Sequence, residues 1–364
     1  MKNVLHIVGG LDRGGAEAYI MNTLRNIDRK KYRFIIATFM APSNGDKYAY
    51  QDELETLGVE IVRLRDTRFS NPRDFEKQIE ILVRKRGINI VHSHIDFMSA
   101  LTLAGAKRGG AEKLIAHSHS TNNTKMKSPI KKFISIFLKR KLNKLATQRI
   151  GCGQAAGEFL FDNNLFTVVP NGIDIERYKF SESLRDKLRG QYKINKSTSV
   201  WLTIGRLEEV KNQEFLIDLI KDHFIDSNEI LFIIGNGSLH DNLQNQINNS
   251  GLSNRVYLLS ARDDVNEYYS MADFFVLPSL FEGVPTVGIE AQTNGLKCIF
   301  SDRVAKEVAV SKNSLFLPLD QDIWAKELKK KPKGIKYRNN PQDKSIQAYN
   351  IKMTVKKLEE IYDI

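Results

Sequence analysis

The sequence predicts an α/β protein made of two doubly wound, Rossmann-like domains. Three observations carry that reading. Short apolar runs alternate with amphipathic stretches through the first half; the same rhythm begins again near residue 200; and 364 residues exceed what one small core organises.

In the first half, apolar runs at residues 4–8, 34–39, 61–64, 90–92 and 114–116 read as strands of a buried parallel sheet, with amphipathic helices at 16–26 and 72–86 between them. The second half repeats the pattern with runs at 200–204, 230–234, 256–259, 274–277 and 297–300. Helical stretches at 212–221, 239–247 and 285–293 separate them. Val168-Val169-Pro170-Asn171-Gly172 carries the proline and Asn-Gly signals of a chain that turns and crosses over, which sets domains of 1–165 and 166–344. A polar stretch at 329–342 interrupts the second domain, and helical spacing resumes at 343–362.

Lysine and arginine number 55 against 43 acidic residues, a net charge of +12, so the surface favours phosphates or anionic lipid. Much of the excess is local. No acidic residue lies between Glu112 and Glu158, whereas Lys125, Lys127, Lys131, Lys132, Lys139, Arg140, Lys141, Lys144 and Arg149 all do. Residues 130–146 read as a basic amphipathic helix, suited either to an anionic membrane surface or to packing with a solvated basic face. Lys141 and Ile136 break its two-sided pattern. No aromatic residues interleave with the lysines on their face of the helix, so nucleic acid is not expected. Cys152 and Cys298 are the only cysteines, which argues against a disulfide framework or zinc site and for a reducing cytoplasm. The start, Met1-Lys2-Asn3 followed by five apolar-rich residues, is not expected to be a signal peptide, and no apolar run is long enough to span a bilayer.

Five motifs bear chemistry. Gly9-Gly10-Leu11-Asp12-Arg13-Gly14-Gly15-Ala16-Glu17 opens a helix after the first strand, where glycines serve either a tight turn or the close approach of a phosphate or sugar. It is not the dinucleotide-binding glycine pattern, and no acidic residue ends the next strand, so NAD is disfavoured. Gly205-Arg206-Leu207 with Lys211 places a planar fork and a point charge at a strand's carboxyl end, where both can meet one anion. Ile234-Gly235-Asn236-Gly237 makes a second such turn, for which steric reasons suffice. His92-Ser93-His94 and His117-Ser118-His119 each follow a first-half strand, weak evidence for zinc without a further ligand. Finally, Glu282 and Glu290 stand eight positions apart across a strand-to-helix junction, with Gly283, Val284, Pro285, Thr286 and Val287 between them at a helix N-terminus suited to phosphate. The one D-x-D, Asp320-Gln321-Asp322, reads as a helix start and not as a metal site.

Together L-H-I-V-G-G-x-x-R-G-G-A-E, I-A-H-S-H, G-R-L-x-x-x-K and the E-x7-E of S-L-F-E-G-V-P resemble the retaining glycosyltransferases of family four, nearest the bacterial exopolysaccharide and capsule subgroup. The resemblance implies the GT-B fold, two Rossmann-like domains facing each other across a cleft, with a terminal helix at about 345–364 packing back on the first. It also implies transfer of a sugar from a nucleotide-sugar, expected to be uridine-linked, to a hydroxyl of a lipid-linked oligosaccharide. His117 would contact the donor sugar, with His119 the alternative, and Gly14 and Gly15 would face the donor phosphates. Arg206, Lys211 and residues 283–287 would hold the diphosphate, Glu282 the sugar hydroxyls and Glu290 the ribose. No metal or other cofactor is expected, and the protein is expected to be cytoplasmic and peripheral at the inner face of the membrane. A nucleotide-sugar 2-epimerase of the same architecture and a non-catalytic subunit are the alternatives; transfer to an added acceptor separates them.

Overall fold

A computed structural model describes every residue except 13, 43, 44, 46, 122–128, 226, 331–337, 339–342 and 364, and for 129–132 the backbone alone. It divides into two compact units, Met1–Gly172 with Ile351–Ile364, and Ile173–Asn350.

Unit 1 opens with β1 (Lys2–Ile7), α1 (Gly15–Asn26), β2 (Tyr32–Thr38), α2 (Gln51–Thr56), β3 (Glu60–Arg63) and α3 (Pro72–Arg86). It continues with β4 (Ile90–Ser93), α4 (Ser99–Gly109), β5 (Lys113–Ser118), α5 (Pro129–Leu145), β6 (Gln148–Gly151), α6 (Gln154–Phe161) and β7 (Thr167–Val168). All strands are parallel, in the order β3-β2-β1-β4-β5-β6-β7. The chain reverses its direction of growth between β1 and β4, and the loops leaving those two strands flank the resulting crevice.

Unit 2 comprises α7 (Glu182–Gln191), β8 (Val200–Ile204), α8 (Glu214–His223), β9 (Ile230–Ile234), α9 (His240–Asn249), β10 (Val256–Leu259), α10 (Val265–Met271) and β11 (Phe274–Leu277). Then follow α11 (Thr286–Thr293), β12 (Lys297–Ser301), β13 (Ser314–Leu317), α12 (Gln321–Leu328) and α13 (Lys344–Gln347). The parallel order β10-β9-β8-β11-β12-β13 reverses between β8 and β11. The last helix, α14 (Ile351–Asp363), returns to unit 1. There Ile351, Val355, Leu358, Ile361 and Tyr362 join one hydrophobic cluster with Val4, Val8 and Tyr19.

The boundary falls at 172/173 and not at 165/166, because β7 still pairs with β6 in the first sheet, Ile150 opposite Thr167. The terminal helix is also two helices. Ile346 of α13 belongs to the core of unit 2, so only the part from Ile351 serves unit 1. Asp320 does open a helix: its side chain accepts from the Ile323 N–H at 3.0 Å.

Helix α5 departs from the simple two-faced expectation. Lys141, which breaks the apolar side of the sequence pattern, pairs there with Glu76 of α3 at 2.6 Å. Lys139 turns away from solvent to bond the Phe159 carbonyl and lie 4.1 Å over the Phe159 ring. Leu138 and Leu142 are buried as the pattern requires, yet Phe133, Ile134, Ile136 and Phe137 are exposed. Lys125 and Lys127 lie outside the described residues, as do the side chains of Ile130, Lys131 and Lys132. Among the described residues no helix is long and apolar enough to cross a membrane.

Candidate active site

In unit 2 the loops after β8 and β11 meet at the reversal point of the sheet. The Leu280 N–H donates to the Val210 carbonyl at 2.8 Å, and the Asn212 amide donates to the Pro278 carbonyl at 3.1 Å. Asn212 sits at φ 54, the left-handed conformation that asparagine tolerates, and so ends the short turn carrying Lys211. Gly205 leaves room for the Lys211 stem, whose Cε would stand 3.2 Å from a β-carbon there. Lys211 Nζ is bonded to Glu282 Oε1, to which Ser279 Oγ also donates at 3.3 Å. The ammonium and carboxylate are each more than four-fifths buried, so the two residues expected to touch different parts of a ligand hold each other. Arg206 is exposed and paired only loosely, with Glu208 at 2.8 Å, while the buried Gln213 amide fixes its carbonyl at 3.0 Å.

Pro285 is the N-cap of α11 with φ −68 and ψ 121, one residue before the helix it was expected to begin. The first-turn N–H groups at Thr286 and Val287 have no carbonyl one turn back, and only Pro285 separates them from Gly283 and Val284. Glu282 lies on the rim, its backbone bridging to Val304 and Ala305. Glu290 is half-buried within α11, accepting from the Tyr269 hydroxyl at 2.8 Å and also from Tyr178. Burial raises its pKa above the usual carboxylate range, against the two hydroxyls. Helix α11 is held from behind. Gly288 admits Phe300 and Val308, and buried Gln292 binds the carbonyls of Gly288 and Val308 while accepting from Val310, Ser311 and Ser314. Gln213, Tyr178, Tyr269 and Gln292 had no motif to announce them; Tyr178 and Tyr269 act on Glu290 from elsewhere in the sequence, and Gln213 and Gln292 act on backbone groups. In the Gly235-Asn236-Gly237 turn, a β-carbon at either glycine would strike the backbone of Gly205 or Leu207, so both are accounted for by packing.

In unit 1 Gly14 is the N-cap of α1, and the Glu17 carboxylate folds over it, 2.3 Å from where a β-carbon would stand. A β-carbon at Gly15 would meet nothing within 4 Å among the described residues. The histidines at the ends of β4 and β5 and just beyond gather with His6 of β1 in one group. His117 has no exposure and His119 is half-buried. Burial takes His6 and His119 down to about 3, and burial with neighbouring imidazoles holds His92, His94 and His117 well below the ordinary histidine value, so all five are neutral. Two trios, His6 with His92 and His94, and His94 with His117 and His119, offer nitrogens within 4.8 Å of one another, as a metal would need. Both nitrogens of His6, His92 and His94 bond other side chains, so metal in either trio would break those bonds.

Two parallel sheets, each reversing at its centre, give the paired Rossmann-like architecture of the GT-B class. Residues 13–177 match the family described as Glycosyltransferase Family 4, and residues 185–340 match Glycosyl transferases group 1. The putative glycosyltransferase EpsF of Bacillus subtilis is 30% identical over 346 residues, 90% of this chain and 87% of that protein. The capsular polysaccharide biosynthesis glycosyltransferase CapH of Staphylococcus aureus is 27% identical over 381 residues, covering 100% and 99%. The chain therefore belongs to glycosyltransferase family four. Among solved structures, Anabaena HepE in complex with UDP-glucose superposes with a TM-score of 0.81 at 18% identity, each chain covered completely. Sucrose-phosphate synthase of Thermosynechococcus elongatus gives 0.79 at 15%, covering 100% and 98%.

Proposed function

We propose that this glycosyltransferase moves a sugar, with retention, from a UDP-sugar to a hydroxyl of a lipid-linked saccharide during exopolysaccharide or capsule synthesis. The observation that carries the reading is the meeting of the loops after β8 and β11, the first carrying Arg206 and Lys211 and the second carrying Glu282, bonded to Lys211, and leading into α11 with Glu290. That layout suits a diphosphate between two polyols. Support for substrate and pathway comes from CapH, from the UDP-glucose complex of HepE, and from an Escherichia coli UDP-Gal:alpha-D-GlcNAc-diphosphoundecaprenol alpha-1,3-galactosyltransferase, 29% identical over 239 residues, 61% of this chain and 59% of that protein.

Glu290 binds the ribose hydroxyls and Glu282 those of the sugar. As the anomeric carbon–oxygen bond breaks, negative charge grows on the departing diphosphate, and Arg206, Lys211 and the first-turn N–H groups of α11 stabilise it. The acceptor oxygen bonds the same face of the anomeric carbon and gives its proton to the leaving phosphate oxygen. Lys211 enters the reaction from its pair with Glu282, so sugar binding by Glu282 and release of Lys211 toward phosphate are linked. His117 and His119, whose rings stack with centroids 4.1 Å apart, are the candidates for sugar contact. The exposed phenylalanines of α5 beside Arg140 suit docking on an anionic membrane, which would keep the protein at the inner face of the cell membrane, where a lipid-linked acceptor is met.

Calorimetry with free UDP tests the division of roles. Glu290→Ala is expected to weaken UDP about tenfold or more, at the scale of one charge-assisted hydrogen bond. Glu282→Ala, which frees Lys211, is expected to keep or raise UDP affinity and to abolish most turnover. Equal losses of UDP affinity in both would refute the assignment. Transfer is also expected to persist in chelator, since the proposed charge stabilisation is all protein; a strict need for a divalent cation would overturn that mechanism.

A further inference from the structure

The five neutral histidines and Tyr362 form one unbranched chain of hydrogen bonds within unit 1. His117 Nδ1 meets His92 Nε2 at 3.1 Å, and His92 Nδ1 meets the Tyr362 hydroxyl at 2.8 Å. That hydroxyl meets His6 Nε2 at 3.2 Å, His6 Nδ1 meets His94 Nε2 at 2.8 Å, and His94 Nδ1 meets His119 Nε2 at 2.9 Å. The nitrogens left over at the two ends, His117 Nε2 and His119 Nδ1, are both buried and have no partner among the described residues. Their rings stack with centroids 4.1 Å apart, so the chain is a loop open at one place.

Counting hydrogens fixes what the loop does. Each neutral imidazole carries one N–H and the phenol one O–H, six hydrogens for five contacts. If Tyr362 donates to His92, every imidazole must carry its hydrogen on Nε2; His117 then ends the loop as a donor and His119 as a bare acceptor. If Tyr362 donates to His6, every imidazole carries its hydrogen on Nδ1 and the two ends exchange character. Only when the hydroxyl donates to neither do the tautomers mix, leaving a buried O–H unsatisfied at a cost of about 1–3 kcal/mol. One hydroxyl on the terminal helix thus sets the tautomers of imidazoles on three strands, and the open ends always offer one donor beside one acceptor. That pair matches a single O–H group, which donates and accepts at once.

We propose that Tyr362 is a positioning residue that locks all five histidines into one common tautomer, so that His117 and His119 together bind one O–H group. The choice of a sugar as the source of that group rests on the function proposed above; the tautomer lock does not.

Nitrogen-15 NMR of the histidine-labelled full chain tests it, because protonated and bare ring nitrogens resonate far apart. His6, His92, His94, His117 and His119 are expected to share one tautomer. His117 protonated on Nδ1 while His119 is protonated on Nε2 would overturn the proposal without any variant. In Tyr362→Phe the arms His117–His92 and His6–His94–His119 are expected to lose their common tautomer, and retention of it would equally overturn the lock. Saturating UDP-glucose separates the sources of the O–H: resonances of the two end nitrogens that move assign it to the sugar, and unmoved ones to an enclosed water, with the common tautomer kept in both cases. Ligand-induced mixing of the tautomers would again sink the idea.

Discussion

Each buried imidazole in unit 1 carries a pH cost whose sign is fixed by linkage. In the unfolded chain a histidine titrates near 6.5, whereas in the fold burial holds His6 and His119 at about 3 and keeps His92, His94 and His117 well below their ordinary value. Below 6.5 the unfolded state binds protons that the fold excludes, so the stability these groups allow is fully present above 6.5 and is lost as pH falls toward 3. Each contributes a slope of about 1.4 kcal/mol per pH unit, and five acting together about 7 kcal/mol per pH unit at steepest. Denaturant titrations of the full chain between pH 7 and 5 are expected to show unit 1 failing first, with about five protons taken up per unfolding event; an uptake near one would mean the rings are charged in the fold. The same residues mark what a sequence conceals. The places of Arg206, Lys211, Glu282 and Glu290 in the fold were legible because each stands where a strand of a doubly wound sheet delivers a loop, or in the helix that loop opens. That Lys211 is bonded to Glu282, 71 residues away, was not, since nothing local records the pairing. The two H-x-H pairs were visible as pairs, but their fusion through His6 and Tyr362 depends on three strands and the last helix coming together.

Among the elements, strands 200–204, 230–234, 256–259 and 274–277 coincide with their apolar runs, and α3 spans 72–86 as its period requires. Helix α4 escaped because it has no polar face: residues 99–106 are all buried, so the amphipathic signal that reveals a surface helix is absent. Its small residues serve close packing instead, a β-carbon at Gly105 falling 2.3 Å from the Glu76 carbonyl of α3. Strands β6 and β7 have four and two residues, too few for a period to show. Helix α5 carries the element's own prediction. Phe133 is 73% and Phe137 63% exposed, one turn apart on a helix whose other side, at Leu138 and Leu142, is already packed. Phe133→Ser with Phe137→Ser is expected to release the protein from anionic vesicles at least as fully as Arg140→Gln, for which the loss should be on the order of 1 kcal/mol. Lys141→Gln is expected to weaken unit 1 through Glu76 and leave vesicle binding alone. Sedimentation with phosphatidylserine-containing vesicles decides it, and binding unaffected by the double phenylalanine change would leave α5 without a role at the membrane.

At the scale of the whole molecule, the chain passes from unit 1 to unit 2 once and comes back, so the first unit is completed only by residues that follow the second. Ile173 and Asn350, the residues just inside unit 2 at the two crossings, lie side by side in a parallel bridge, with the Ile173 N–H bonded to the Tyr349 carbonyl at 2.8 Å. Beyond that point α14 supplies unit 1 with five buried apolar or aromatic side chains, and unit 1 receives it with matched charge. Lys2 donates to the Tyr362 carbonyl at 2.9 Å, and Lys113 to that of Ile361 at 2.8 Å, each a cation at a helix C-terminus. Tyr32 and the Asp28 N–H take up Asp363 and Glu359 at 2.8 and 3.0 Å. At about 2 kcal/mol per buried side chain the helix brings on the order of 10 kcal/mol, as much as an entire domain's net stability. Terminating the chain after Asn350 is therefore expected to unfold residues 1–172 and to spare residues 173–350, whose core contains no residue of α14. Hydrogen exchange read by mass spectrometry should show native protection across β8 to β13 and none across β1 to β7. The truncated chain should still bind UDP, since the residues proposed to hold it all lie in unit 2, and full protection of β1 and β4 without α14 would show that the terminal helix only decorates a core that stands by itself.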